Sequence, residues 1–138
     1  MVKLPPYAHV PGQNARHAEG AFDAICATAV GDPAALERSA AWRAGLEWLD
    51  RGYFWEAHEA MEAVWQALPV NSAERRLVRA MIQAANAGLK ARMRQMRAVA
   101  RLVAEARQLL ADARLGGDAR LMGLSQAEAL ARIEAVSA

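Results

Sequence analysis

From Ala18 onward the chain is written mainly in Ala, Leu, Arg and Glu, with apolar residues recurring at spacings of three and four and too few β-branched residues to build strands. Such a sequence covers its apolar side only by packing helix on helix. The expected fold class is therefore all-α, a compact bundle of about five helices. The start is written differently: Pro5, Pro6, Pro11 and Gly12 withhold the donors and dihedrals that a helix needs. Residues 1–17 are thus expected to form an extended arm over a single helical domain, residues 18–138.

Boundary residues place the helices. The first is expected over 18–30, with Phe22, Ile25, Cys26 and Ala29 on one face. Gly31 closes it, and Asp32 as a cap with Pro33 in the first helical position opens a second over 33–50, burying Leu36, Trp42, Leu46 and Leu49. A third, over 53–68, stops before Pro69. Asn71 with Glu74 three residues later is a capping-box pattern, opening a long fourth helix that can reach Met96. The stretch up to Arg114 puts Val99, Leu102, Val103, Ala106, Leu109 and Leu110 on one side, and Gly116-Gly117 ends it. Ser125 with Glu128 is a second capping box, opening a last helix that carries Leu130 and Ile133.

Composition narrows the function classes. A chain of 138 residues buries a core without staples, and 54% hydrophobic against 23% charged residues excludes a disordered tail. No apolar run approaches the roughly 18 residues that cross a bilayer, so no membrane partner is expected. The single Cys26 forbids an intramolecular disulfide or a Cys-based zinc cage, and the opening MVKLPPYAHVPG has no apolar core of a secretory signal. A cytoplasmic location is expected. Seventeen Lys and Arg against fifteen Asp and Glu leave a net charge of +2, which argues against a nucleic-acid partner.

The third helix carries the one chemical constellation. At 100° per residue with His58 at zero, Phe54, Met61, Trp65 and Leu68 fall between about −80° and −20°, a core-facing stripe. His58 sits at its edge, Glu62 lies one turn on at about +40°, and Trp55 falls at about +60°. Glu59, near +100°, points further toward water. Two titratable groups are thus framed by the flat indoles of Trp55 and Trp65, an apolar wall beside a polar pair, as a small-molecule pocket needs.

The i,i+4 spacing admits three uses. Glu62 can hold His58 in one tautomer as a general base or acid; it can join His58 as a second ligand of a divalent metal ion; or the two can be a structural pair at a core edge. His58-Glu59 begins the zincin pattern H-E-x-x-H, but Glu62 stands where the second His belongs, so the pattern fails. A catalytic zinc needs three protein ligands, and the remaining imidazoles, His9 and His17, lie on the arm. Folded over the mouth of the site, Arg16 and His17 would serve as binding groups; a solvated terminus is the plain alternative. On the fourth helix a polar line from Arg76 to Arg97 includes Gln83 and Asn86. Their Ala-rich surroundings let a neighbour approach closely enough to read the amides, which makes them further substrate-binding candidates.

The run from Gly52 to Trp65 resembles a helical family of bacteria and archaea described as domain of unknown function 309. Its hallmark is Phe-Glu-Ala-His-Glu followed by a carboxylate and a Trp. The match falls on Phe54, Glu56, Ala57, His58, Glu59, Glu62 and Trp65, with Trp55 standing as an extra residue between Phe and Glu. The likeness spans roughly residues 36–112. The family's Gly-Leu-Ile-Gln run is similar to Ala80-Met81-Ile82-Gln83, so Gln83 carries over and the Gly does not. The arm, with Pro5-Pro6-Tyr7, Val10-Pro11-Gly12 and Arg16-His17, resembles that of some proteobacterial members. The resemblance implies an all-α bundle with a polar site at His58, Glu59 and Glu62. Members have been labelled metal-dependent hydrolases on the strength of the motif, a label that fold likeness alone does not extend to a reaction.

Two functional readings follow. In the first, His58 is base or metal ligand, Glu62 orients it or co-ligates, Trp55 and Trp65 are walls, and Glu59, Gln83, Asn86, Arg16 and His17 line the rim of a small-molecule site, hydrolytic when a divalent metal ion assists. In the second, the Trp-rich second and third helices, of which Gly52-Tyr53-Phe54 resembles half of a tetratricopeptide hairpin, form an interaction module that packs on a partner or a second copy, as a homo-oligomer.

Overall fold

Side-chain caps decide where most of the helices begin. A computed structural model of the chain, describing residues 2–137, contains seven helices. They are α1 (Asp23–Cys26), α2 (Pro33–Glu37), α3 (Ala40–Asp50), α4 (Phe54–Ala67), α5 (Ala73–Arg92), α6 (Met96–Asp112) and α7 (Gln126–Val136). Among the described residues the only β pairing is an isolated bridge between Leu121 and Leu124. The all-α expectation holds, with the five longer helices, α3 to α7, as the bundle.

Several boundaries differ from the expected ones, each for a local reason. The helix expected over 18–30 is reduced to the single turn of α1. Gly20, at φ +79°, breaks the chain before it, and after it the Thr28 hydroxyl donates back to the Ile25 carbonyl and accepts the Ala41 N–H. Asp32 caps α2 as expected, accepting the Ala35 N–H at 2.9 Å with Pro33 in the first position. The second helix is nonetheless split, because the Ser39 hydroxyl takes the Trp42 N–H and starts a new helix. Ser72 rather than Asn71 caps α5, accepting the Arg75 N–H; Asn71 itself sits at φ +66°. The fourth helix does not reach Met96. It ends at Arg92, and Arg94, at φ +58°, turns the chain into α6. Only the box at Ser125 and Glu128 is reciprocal, with each side chain satisfying the other's backbone N–H.

α5 is the centre of the bundle, packed against α4, α6 and α7, while α3 lies on α4. Its inner face, including Leu77, Val78, Met81, Ile82 and Ala85, is fully or almost fully buried. Gly88 lets α4 come close: a methyl group there would lie 2.5 Å from Cε1 of Phe54. Two buried indoles tie irregular segments to α3. Trp42 Nε1 donates to the Met122 carbonyl at 2.8 Å, and Trp48 Nε1 donates to the Lys3 carbonyl at 3.0 Å. Arg132 of α7 donates to Asp50 at the end of α3 at 3.0 Å.

Residues 2–22 hold no helix or strand and lie against the bundle. Val10, Pro5 and His9 are buried. A reverse turn from Val10 to Asn14 is fixed by the Asn14 carboxamide, which accepts the Val10 N–H and donates to the Ala8 carbonyl. At the other end of the turn, Gln13 donates to the Arg92 carbonyl at 2.8 Å.

Candidate functional site

α4 is covered on more than one side, and its two polar edges have different fates. Along the outer edge, His58 Nε2 lies 3.3 Å from Glu62 Oε2 and His58 Nδ1 lies 3.9 Å from Glu59 Oε1. One ligand atom from each of the three residues falls within 4.8 Å of the others. Their side chains are 29%, 38% and 39% exposed for His58, Glu62 and Glu59. The imidazole is therefore neither sealed in the core nor free in water, and a small solute can reach it. The site exists because His58 and Glu62 at i,i+4 and Glu59 and Glu62 at i,i+3 share one edge of the helix.

The donor chemistry fits a divalent cation. One imidazole nitrogen and two carboxylate oxygens are the ligand types that zinc and related ions accept, and three protein donors leave a position open to solvent. Cys26, whose thiol donates to the Glu59 carbonyl at 3.6 Å, is not a natural fourth ligand. Burial, and then the charges of Glu59 and Asp23, push its thiol pKa upward, which keeps the sulfur protonated.

The indoles expected to wall this pair are engaged elsewhere. Trp65 lies under the Arg75 guanidinium, 4.0 Å from the ring centroid, with Arg79 at 5.2 Å, and Arg75 Nε also donates to the Trp65 carbonyl. Trp55 packs into an aromatic cluster with His9, His17 and Phe22. Gln83 donates to Glu105 of α6 at 2.8 Å and accepts from Asn86, so the hydrogen bonds of both amides run within α5 and toward α6. Arg16 is exposed.

His17 docks on α4, but at Glu56. Its Nε2 lies 2.6 Å from Glu56 Oε2, the same oxygen that accepts the His9 backbone N–H at 2.7 Å. The Glu56 side chain is completely buried and that of His17 is 4% exposed. Tyr7 stacks on the His17 ring at 4.4 Å, and Phe22 meets it edge-on. On the helical wheel Glu56 falls at about 160° from His58, away from the core stripe. The arm buries it from outside. Reading the helix alone missed Glu56, His9 and Tyr7.

An arm-covered helical bundle, with a donor triad on one helix and a buried Glu–His pair behind it, is the class of protein that fold and geometry define. Residues 42–102, from α3 into α6, match the family model described as Domain of unknown function (DUF309). The match includes the whole of α4 and bears out the resemblance carried by Phe54 to Trp65. No curated protein and no solved structure gave a match.

Proposed function

We propose that the outer edge of α4 is a divalent metal-ion site, with His58, Glu59 and Glu62 as ligands and the solvent side open to a small-molecule substrate. The observation that supports it is the convergence of three partly exposed donors within 4.8 Å. An ion held there supplies Lewis acidity to a carbonyl or phosphoryl oxygen, which makes hydrolysis the reaction class to test first. With an ion held there, Glu59 or Glu62 would be the group to take a proton from water, and Arg75, stacked on Trp65 a turn further along, would offer positive charge to an anionic substrate. Among the described residues no helix is long and apolar enough to cross a membrane.

The test is zinc and manganese titration by calorimetry on protein purified without an affinity tag, alongside metal content per chain and turnover of simple ester and phosphate substrates. One ion per chain, lost in His58→Ala with the melting curve unchanged, is the expected result. Equal binding by His58→Ala and the parent protein, or no binding by either, overturns the metal reading. Metal binding without turnover retains the site and removes the hydrolase.

A further inference from the structure

Beneath the arm lies a cavity of about 880 Å³ that shares no lining residue with His58, Glu59 or Glu62. Its floor and walls are largely apolar, with Leu4 from the arm, Phe22 and Ile25 from the segment around α1, and Trp48 from α3 among them. The polar lining is one-sided. Lys3, Arg43, Tyr7 and His17 contribute, and no Asp or Glu does. Neither Lys3 nor Arg43 forms an ion pair with a carboxylate among the described residues. Glu56 accepts from Nε2 of His17, and Tyr7 covers the ring face, so the imidazole stands as a fixed wall of the cavity. A pocket with an apolar interior and two cations that no carboxylate pairs is complementary to a molecule with a greasy body and a single anionic head.

From this we infer that the cavity under the arm binds an amphipathic monocarboxylate, with an alkyl or aryl body against Phe22, Ile25 and Trp48 and the carboxylate at Arg43 and Lys3. Its volume lies in the upper part of the range typical of small-molecule pockets, which suits a medium-length chain or a substituted ring. The Trp48 indole, which bonds the Lys3 carbonyl, holds the arm in place as the pocket's outer wall. Charge at the head is what separates this reading from a merely greasy hole. Arg43 is exposed at the margin, so its removal tests the head without disturbing the core.

The experiment is calorimetric titration of the full chain with octanoate, with octan-1-ol as the neutral control. Octanoate is expected to bind at one molecule per chain, with octan-1-ol at least about tenfold weaker, since a charge-assisted contact contributes on that scale. Arg43→Ala is expected to weaken octanoate about tenfold and to leave octan-1-ol unchanged. Ile25→Trp, which fills the cavity, is expected to abolish both, with helix content checked by circular dichroism. His58→Ala is expected to leave octanoate binding intact, so failure of the metal site and failure of this one are separable. Absence of saturable octanoate binding, equal affinity for acid and alcohol, or an Arg43→Ala variant that binds octanoate as the parent does each overturns the inference.

Discussion

Glu56 and His58 are two positions apart and show how little a residue's type says about its role. His58 and its partners Glu59 and Glu62 keep between 29% and 39% of their side-chain surface in water, so the attraction between them is screened and adds little to stability. Glu56 is out of water altogether, and its Oε2 serves both the His9 N–H and His17. Removing a buried partner leaves the others desolvated and unmatched, so Glu56→Ala is expected to cost about 3 kcal/mol in chemical denaturation. Glu56→Gln, which retains an acceptor, is expected to restore part of that. A loss below about 1 kcal/mol would show that water replaces the carboxylate without penalty. The motif residues His58, Glu59 and Glu62 were legible in the sequence because their spacing on one helix is enough to bring them together. The Glu56–His17 contact was not, since the two are separated by 39 positions and nothing local links them.

At the scale of elements, close approach of α4 and α5 depends on Gly88. Gly88→Ala would gain helix propensity worth about 1 kcal/mol, but the new methyl group would fall on the Phe54 ring, so a net loss of about 1–3 kcal/mol is expected. Combining it with Phe54→Leu should recover part of the loss, and thermal melting of the single and double variants checks both. α7 makes a different prediction. Backbone and side-chain hydrogen bonds from Ser125, and then the nearby Arg120, hold the Glu128 carboxyl below its usual pKa. A group with a depressed folded-state pKa contributes stability above the unfolded carboxylate pKa, and that contribution disappears as pH falls through the folded value. Glu128→Gln should therefore flatten the acid side of the stability–pH profile and leave the neutral-to-alkaline side parallel to the parent's. Capping residues made several starts legible. The split at Ser39 and the turn at Arg94 were not, because a serine inside a helical pattern and an arginine at positive φ carry no breaker signal.

At the scale of the whole molecule, the chain covers its own tryptophans: Trp42 and Trp48 are buried, and Trp55 and Trp65 are partly so. The arm does much of this work through Lys3, His9, Gln13 and His17, each bonded to the helical body. Deleting residues 1–17 is expected to leave the bundle helical, lower its melting temperature by several degrees and shift tryptophan emission to longer wavelength as Trp48 and Trp55 become wet. An unchanged melting temperature would show that the arm lies on the surface without contributing to it. What the sequence by itself determined was class and local placement: helices from periodicity, capped starts at Asp32 and Ser125, and a His–Glu–Glu edge on α4, all set by interactions within a few residues. Tertiary structure alone decided that a second side of α4, the one bearing Glu56, is inside as well. Burial depends on what arrives from elsewhere in the chain, and here a proline-rich segment with no helical pattern of its own turned an apparently solvated glutamate into the anchor of the arm.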